Sequence, residues 1–253
     1  MRFLATADSD IGNVKSTNQD SVLIEHASTS TGEVLMAIVC DGMGGLSKGE
    51  LASATVLRAF KEWFDKMLPL ELAKPNMQVI ASKWVLLLKE LNIKIMSYGR
   101  TIGANLGTTF TGMLFFRTEY FIVHVGDSRA YYINGNVIQL TEDQTYVQRE
   151  IKRGAMTPEQ AKVDPKRNML LQCVGASPDM NPAVYYGKTE TGTYMLCSDG
   201  FRHEISAKEM YESLNISRLS SRETMHSNCR YLIDLVKARK ERDNISVLLI
   251  KAE

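Results

Sequence analysis

The chain has 253 residues, and its hydrophobic fraction of 44% and charged fraction of 23% are typical of a soluble globular protein with one sizeable core. A formal net charge of +1 gives no reason to expect a nucleic-acid partner. No apolar stretch approaches the roughly 20 residues that a membrane span needs. Because the sequence has no repeat, linker or oligomerisation pattern, we expect a monomer with a single domain over residues 1–253.

The predicted elements are short strands interrupted by two pairs of helices. Strand-like apolar runs occupy residues 2–7, 21–25, 34–40, 108–116, 120–125, 130–133, 137–140, 193–198 and 245–250. Apolar residues spaced by three and four predict long helices over 51–68 and 77–102, the second with Asn76 as its N-cap. Capping boxes that begin at Ser206 and Ser220 predict two further helices before the last strand.

Turn signals between neighbouring strands indicate hairpins and therefore antiparallel sheets. Asn134-Gly135 is the clearest of them, because it supplies the positive φ angles of a tight turn. Each predicted helix is apolar on one side only, so each should cover a sheet face. This order of elements predicts a layered α+β sandwich.

The polar segment 144–182 lies between two predicted strands and differs from its surroundings. It contains two short helix signals, at 146–152 and at the capping box that begins at Thr157. We interpret it as an inserted lid or flap rather than a separate domain.

The four cysteines form no Cys-x-x-Cys pair, and two of them lie inside apolar runs. This pattern favours buried, reduced thiols. Because reduced thiols are typical of the cytosol, we expect a cytoplasmic location.

Four aspartates each stand at one end of a predicted strand. Asp41, Asp127 and Asp199 follow apolar runs, and Asp243 precedes the last one. A carboxylate at the edge of a core is costly unless something positive meets it, and four that converge would repel one another. The pattern therefore predicts a site for several metal ions, and its oxygen ligands suit Mg²⁺ or Mn²⁺.

Glycines follow two of these aspartates, in Asp41-Gly42-Met43-Gly44-Gly45 and in Asp199-Gly200. They let the backbone turn sharply and bring carbonyl groups near a ligand. Taken singly, each segment also fits a plain Asp-Gly turn.

Other polar residues near the strand ends also have two interpretations. Asp127 could form an ion pair with Arg129 instead of binding a metal. Lys15 and the triplet Asn18-Gln19-Asp20 could belong to a solvated loop.

Seven segments, taken together and in order, are far more specific than any one of them. They are GNVKSTNQD (12–20), VCDGMGG (39–45) with GELAS (49–53), GTT (107–109), VGDSR (125–129), LTED (140–143), CSDG (197–200) and DNIS (243–246). Their order and wording resemble the metal-dependent protein phosphatases, the protein phosphatase 2C (PPM) family, in its compact bacterial form. The resemblance extends over nearly the whole chain. It implies a four-layer α-β-β-α sandwich of two antiparallel sheets flanked by helix pairs.

The resemblance also implies a centre of two Mn²⁺ or Mg²⁺ ions, with a weaker third ion in bacterial members. Asp41 would bridge the two ions, and the carbonyl group of Gly42 would bind one of them. Asp199 would bind that same ion, and Asp243 would bind the other. Asp127 would hold the third ion together with Asp199.

Two further site residues follow from the resemblance. Asp20 lies in the motif that holds metal-bound water, and Lys15 stands where the family usually has an arginine that binds the substrate phosphate. Lysine keeps the charge but loses the bidentate fork, so we expect a less oriented phosphate. Gln19 replaces a glutamate of many members, and Asp143-Gln144 replaces a more usual Asp-His pair.

The implied activity is that of a serine/threonine protein phosphatase, in which a metal-activated water hydrolyses phosphoserine and phosphothreonine. Lys15, Asp41, Asp199 and Asp243 would be its catalytic residues. Its partners would be phosphorylated proteins made by a serine/threonine kinase. His124 and His203 are candidates for a leaving-group acid, although a core role is favoured for His124. The alternatives are a catalytically silent regulatory module on the same fold and a phosphohydrolase of small metabolites.

Overall fold

A computed structural model describes residues 1–30, 32–43 and 48–253 of the chain. The strands are β1 (Phe3–Asp10), β2 (Ser21–Thr29), β3 (Gly32–Cys40), β4 (Gly42–Met43), β5 (Gly107–Thr108), β6 (Phe110–Phe116), β7 (Glu119–Val125), β8 (Arg129–Asn134), β9 (Asn136–Gln139), β10 (Ala183–Lys188), β11 (Gly192–Cys197) and β12 (Ile245–Ala252). The helices are α1 (Gly49–Lys66), α2 (Leu68–Glu71), α3 (Met77–Ile102), α4 (Tyr146–Lys152), α5 (Pro158–Val163), α6 (Asp199–Arg202), α7 (Ala207–Leu214) and α8 (Arg222–Ala238).

Two antiparallel sheets form the centre of the molecule. One has the strand order β1-β12-β11-β8-β9 and the other the order β10-β7-β6-β3-β2. A short ribbon joins β4 to β5, with Gly42 opposite Thr108. The ribbon matters for the site because it connects the segment after β3 to the segment before β6.

Strand β3 shows why the sheets stack. Its side chains alternate between faces, as in any strand. Val34, Met36 and Ile38 pack with α1 and α3 in one apolar cluster, whereas Leu35 and Ala37 pack against the other sheet. A strand buried on both faces has the continuous apolar run that the sequence shows.

The two outer faces are covered by helices. Helices α1 and α3 cover the β2-to-β10 sheet, and Trp84 and Phe60 meet there with ring centroids 5.0 Å apart. Helices α7 and α8 cover the other sheet through residues such as Met210, Leu232 and Ile233. The predicted α-β-β-α sandwich is therefore confirmed.

Most predicted helix boundaries are confirmed, and three are wrong by one or two residues. The helix predicted to begin at 51 begins at Gly49. The predicted helix over 51–68 ends at Lys66, because Pro69 in α2 removes a backbone donor and cannot continue the preceding helix. The N-cap of α8 is Ser221 and not Ser220. Ser221 has the extended backbone of a cap and accepts a hydrogen bond from the Thr224 N–H at 3.2 Å.

Strand β10 was not predicted. It is a sheet-edge strand that pairs with β7 alone, in the register Val184 to Val123. Its own residues are mixed in polarity, so the partner strand defines it more than its own pattern does.

The segment 144–182 contains α4 and α5, as predicted, and its ends are attached to the sandwich. The Gly126 N–H donates to Gln144 Oε1 at 2.8 Å. Thr108 and Val174 exchange two backbone hydrogen bonds of 2.9 Å each. The interpretation of this segment as a lid, and that of the chain as one domain, stay predictions.

The four cysteines are free and buried, as predicted. None of the helices in the described ranges 1–30, 32–43 and 48–253 combines the length and apolar character needed to cross a membrane.

Candidate metal centre

Asp41 is fixed in place through its backbone. Its N–H donates to Thr109 Oγ1 at 2.9 Å, and its carbonyl oxygen accepts from the Thr109 N–H at 2.8 Å and from Thr108 Oγ1 at 3.0 Å. Thr109 Oγ1 in turn meets Ser128 Oγ at 2.7 Å, next to Asp127. The side chain of Asp41 is therefore free to face the end of the sheets while its main chain is held by β5 and β6.

Gly42 makes a close backbone crossing that only glycine allows. Its N–H donates to the Gln19 carbonyl at 3.1 Å. A Cβ atom at this position would collide with the Gln19 carbonyl oxygen and stand 2.5 Å from that of Gly49. The side-chain amide of Gln19 also joins the two backbone segments of this crossing. Its oxygen accepts from the Gly49 N–H at 3.1 Å, and its nitrogen donates to the Gly42 carbonyl at 3.2 Å. The following residues Gly44 and Gly45 lie outside the described residues.

Asp20 and Asp199 are both buried near the start of α6. Asp20 Oδ2 accepts a hydrogen bond from Ser198 Oγ at 2.8 Å, and Ser198 Oγ accepts one from the Ser246 N–H at 3.0 Å. The second oxygen of each aspartate, Oδ1, has no hydrogen-bond partner among the described residues. Two buried carboxylate oxygens without donors indicate that this place is built for another positive group.

Lys15 and Asp243 lie together at the rim of the site. Lys15 Nζ is 2.8 Å from Asp243 Oδ1, and both side chains are 39% exposed. Burial of the ammonium group opposes its charge, but the hydrogen bond to Asp243 and the charges of Asp41 and Asp199 prevail and raise the pKa of Lys15. Lys15 therefore stays charged at neutral pH.

The loop that carries Lys15 is held by Asn244. The Asn244 side chain accepts from the Gln19 N–H at 2.9 Å and donates to the carbonyls of Ile11 and Thr17 at 3.0 and 3.2 Å. One residue after Asp243 thus fixes both ends of the loop around Lys15.

Glu241 and His203 hold the residues next to Asp243 and Asp199 in place. Glu241 Oε1 accepts from the N–H groups of Arg242 and Asp243 at 2.7 and 2.9 Å. Glu241 Oε2 is 3.4 Å from His203 Nδ1, and His203 Nε2 is 3.7 Å from Asp199 Oδ2. The imidazole therefore links the two carboxylates, and although burial opposes its charge, Glu241 and Asp199 raise its pKa.

The carboxylates repel one another strongly. Burial, and next the charges of Asp20, Asp199, Asp127 and Asp243, raise the pKa of Asp41 well above its usual range. Burial and the charges of Asp199 and Asp243 raise the pKa of Asp20 to about 7, against the hydrogen bond from Ser198. Five acidic residues from five segments of the chain are therefore close enough to affect one another's charge.

The five carboxylates are spread out rather than packed against one another. Within the described part of the chain, no three His, Cys, Asp or Glu side chains stand close enough to form a compact ligand set. Like-charged carboxylates repel one another, and cations bound among them offset that repulsion. Oxygen donors, unpartnered buried carboxylate oxygens and raised pKa values together fit hard divalent cations such as Mn²⁺ or Mg²⁺.

Asp127 has a partner that the sequence did not suggest. Arg202 Nη2 is 3.2 Å from the Asp127 carbonyl oxygen and 3.4 Å from its Oδ2. The alternative of an ion pair between Asp127 and Arg129 is wrong, because Arg129 donates two hydrogen bonds of 2.7 Å to Asp143. Two parallel bonds to one carboxylate are the preferred geometry of arginine, which explains this choice of partner.

His124 is a core residue. It is fully buried, its Nδ1 is 2.9 Å from Thr111 Oγ1, and its Nε2 is 3.1 Å from the Glu142 carbonyl oxygen. Burial lowers its pKa to about 4, so the ring is neutral at pH 7. Because both nitrogens are occupied, His124 is excluded as the leaving-group acid, and the favoured core role is confirmed.

The structure thus brings Asp20, Asp41, Asp127, Asp199, Asp243 and Lys15 to one end of the sandwich, with Gly42 beside Asp41. Sequence reasoning missed Thr109, Asn244, Glu241 and Arg202 as supporting residues. A signal existed for Thr109 and Asn244, which belong to recognised motifs. Glu241 and Arg202 stand in ordinary polar stretches and offered none.

Fold and site together define a class of protein: an α-β-β-α sandwich with an acidic centre for divalent cations at the ends of its sheets. The chain belongs to the protein phosphatase 2C family, whose model matches residues 12–237. The sequence is 30% identical to the serine/threonine protein phosphatase PstP of Mycobacterium tuberculosis over 96% of this chain. It spans only 44% of the length of that relative.

Solved structures support the same assignment. A serine/threonine phosphatase from S. agalactiae has a TM-score of 0.86 and 26% identity, with both chains covered completely. The catalytic domain of PstP in complex with two manganese ions has a TM-score of 0.78 and 28% identity, with 98% of this chain and 97% of that chain covered. The resemblance suggested by the seven segments is therefore confirmed at the level of the family.

Proposed function

We propose that this protein is a metal-dependent serine/threonine protein phosphatase that hydrolyses phosphoserine and phosphothreonine monoesters. The observation that carries the proposal is the cluster of five mutually repelling carboxylates around Asp41, with Lys15 at its rim. Membership of the protein phosphatase 2C family supports it, as do the relatives, which are serine/threonine phosphatases.

The proposed centre holds two Mn²⁺ or Mg²⁺ ions. Asp41 would contact both, the Gly42 carbonyl and Asp199 would hold one, and Asp243 the other, with Asp20 positioned to accept hydrogen bonds from metal-bound water. When bound, such ions activate a water molecule and neutralise the phosphate. The manganese pair in the PstP complex supports this choice of metal.

Lys15 would bind and orient the phosphate group of the substrate. Its ammonium group is charged, partly exposed and held beside Asp243, so it can meet an incoming phosphate without leaving the site. The loop around Lys15 is fixed by Asn244, which keeps the charge in place.

The partners would be phosphorylated proteins, and a serine/threonine kinase would supply them. We propose a cytoplasmic, monomeric protein, in keeping with its buried free thiols and near-neutral composition.

The proposal is tested by hydrolysis of an aryl phosphate and of a phosphoserine peptide with and without Mn²⁺. We expect turnover to require the metal and to fall by at least about 100-fold in Asp41→Asn, since a metal centre supplies several kcal/mol of stabilisation. Asp65→Asn, on the exposed side of α1, is the matched control and should keep full activity.

The two alternatives give different results in the same assay. A catalytically silent module would show no turnover with any metal. A phosphohydrolase of small metabolites would prefer sugar phosphates to phosphopeptides. Turnover that persists in chelator would contradict the metal-dependent mechanism altogether.

A further inference from the structure

We propose that Arg202 takes the place of a third divalent cation at Asp127, so that this protein holds two metal ions and an internal guanidinium. The proposal rests on the proposed two-metal centre. It concerns the part of the site where the residues present do not fit a further metal ion.

The contact between Arg202 and Asp127 is buried. The side chain of Arg202 is 11% exposed and that of Asp127 is 9% exposed. Arg202 Nη2 donates to both the Asp127 carbonyl oxygen and Oδ2, at 3.2 and 3.4 Å. The guanidinium therefore occupies one carboxylate oxygen and one backbone oxygen, the two kinds of atom that a hard cation would need.

Arg202 is the counterion of Asp127 rather than of the nearby Asp143. Arg202 Nη2 is also 3.6 Å from Asp143 Oδ2. Asp143, however, is already bound by Arg129 on both of its oxygens at 2.7 Å. The charge of Asp143 is thus balanced by Arg129, and Arg202 is left as the counterion of Asp127.

Arg202 and Asp199 lie at opposite ends of the same short helix. Arg202 ends the short helix α6 that Asp199 begins, so one four-residue element carries a proposed metal ligand and the competing cation. Arginine does not lose its proton in proteins, so this positive charge is permanent.

A fixed guanidinium opposes a third ion in two ways. It reduces the negative potential at Asp127, and it repels a divalent cation that approaches the same oxygens. A third Mn²⁺ would have to displace Arg202 from a buried place and leave its charge without a partner. We therefore expect the third site to bind Mn²⁺ at least about tenfold more weakly than it would without Arg202.

The test counts Mn²⁺ ions per chain by native mass spectrometry and by calorimetric titration. The wild-type protein should bind two ions and Arg202→Gln should bind three. The double variant Arg202→Gln with Asp127→Asn should return to two, because it removes the carboxylate that Arg202→Gln exposes. Arg202→Lys keeps the positive charge and should stay at two.

Thermal melting of each variant shows that it is folded. Three ions in the wild-type protein, bound as tightly as in Arg202→Gln, would overturn the proposal, as would a count of two in folded Arg202→Gln. If Arg202→Gln does not fold, the wild-type protein is compared with Asp127→Asn instead. Both should bind two Mn²⁺ ions. Three ions in the wild-type protein and two in Asp127→Asn would overturn the proposal. Failure of the proposed function would look different, since the wild-type protein would then bind no Mn²⁺.

Discussion

The backbone of Asp41 is fixed by Thr108 and Thr109, whereas its carboxylate faces other carboxylates. Such an arrangement is unfavourable for the isolated protein, because buried charges of one sign raise one another's energy. It becomes favourable when divalent cations are shared among the same oxygens. At the scale of single residues, the site is therefore built for ligand binding and not for stability.

Lys15 is expected to favour phosphate binding and to oppose metal binding, and a mutation separates these two effects. Lys15→Ala should raise KM for a phosphoserine peptide about tenfold or more, because a charge-assisted contact to the phosphate is lost. The same change should leave Mn²⁺ affinity equal or higher, because Lys15 Nζ now competes with a cation for Asp243 Oδ1. Steady-state kinetics and calorimetric titration measure the two effects.

Lys15→Arg is the control for this prediction. It restores a bidentate donor and should lower KM relative to the wild-type protein. If Lys15→Ala weakens Mn²⁺ binding and leaves KM unchanged, Lys15 supports the metal centre and does not bind phosphate.

Glu241 holds Asp243 through its backbone and should matter for metal affinity. Glu241→Ala removes the acceptor of the Asp243 N–H and the partner of His203, so Mn²⁺ affinity should fall by about 10- to 100-fold. Glu241→Gln keeps an acceptor oxygen and should lose less. Equal Mn²⁺ affinity in Glu241→Ala and the wild-type protein, measured by calorimetry, would show that this support is dispensable.

At the scale of elements, local sequence patterns predict the features that depend on residues close together in the chain, such as helix caps. The caps at Asn76, Thr157 and Ser206 depend on residues three positions apart, and the structure has all three. The edge strand β10 depends on β7, about sixty residues earlier in the chain, and no pattern within β10 announces it.

The same distinction applies to the site. The positions of Asp41, Asp199 and Asp243 at strand ends could be predicted because each adjoins an apolar run in a recognisable segment, and their roles as metal ligands stay a prediction. The pair between Arg202 and Asp127 joins residues 75 positions apart and depends on the arrangement of both sheets. Such a pair cannot be read from spacing or from composition.

The crossing at Gly42 is an element-scale feature with a clear test. Gly42→Ala puts a methyl group against the backbones of Gln19 and Gly49, which must move the start of α1 and the β4–β5 ribbon. We expect a loss of about 1 to 3 kcal/mol in the free energy of unfolding and a large loss of Mn²⁺ affinity. Denaturant unfolding and calorimetry measure both.

Gly135→Ala is the matched control. Gly135 has a φ of +73° in the β8–β9 turn, and a Cβ atom there would meet nothing within 4 Å. It should cost about 1 kcal/mol through backbone strain alone and leave Mn²⁺ binding intact. Similar metal affinity in Gly42→Ala and Gly135→Ala would contradict a special role for the crossing.

At the scale of the whole molecule, the sandwich brings together segments that are far apart in the sequence. Strands β3 and β12 come from different sheets, yet their ends place Asp41 and Asp243 at the same end of the fold. Buried apolar faces position these elements. The stability that this packing contributes offsets the electrostatic repulsion within the acidic site.

This cost predicts an unusual pH dependence for the metal-free protein. Burial, together with the charges of neighbouring carboxylates, raises the pKa values of Asp20 and Asp127 from 3.8 to about 7, against the hydrogen bonds to Asp20 and the charge of Arg202 beside Asp127. Between these values the folded state binds more protons than the unfolded state, so stability falls as the pH rises. The Tm in chelator should therefore decrease from about pH 4 to about pH 7.

Bound cations should reverse this trend, because they replace the protons. The increase in Tm on adding Mn²⁺ should be larger near pH 7 than near pH 5. Asp143 and Glu241 have lowered pKa values, so their contribution is lost mainly at more acidic pH. His124, whose pKa is lowered from 6.5 to about 4, opposes the trend between these values, but it is one group against two aspartates with larger shifts. A metal-free Tm that rises steadily from about pH 4 to about pH 7 would show that the carboxylates are not buried together.

The proposed activity is the hydrolysis of phosphoprotein substrates with divalent cations held around Asp41. Phosphate release from a phosphoserine peptide, followed while Mn²⁺ is titrated into chelator-treated protein, tests it most directly. We predict no release without metal, a rise that saturates with Mn²⁺, and no rise in Asp199→Asn. Release that is independent of Mn²⁺, or that is undiminished in Asp199→Asn, would show that this acidic centre is not a metal-dependent phosphatase site.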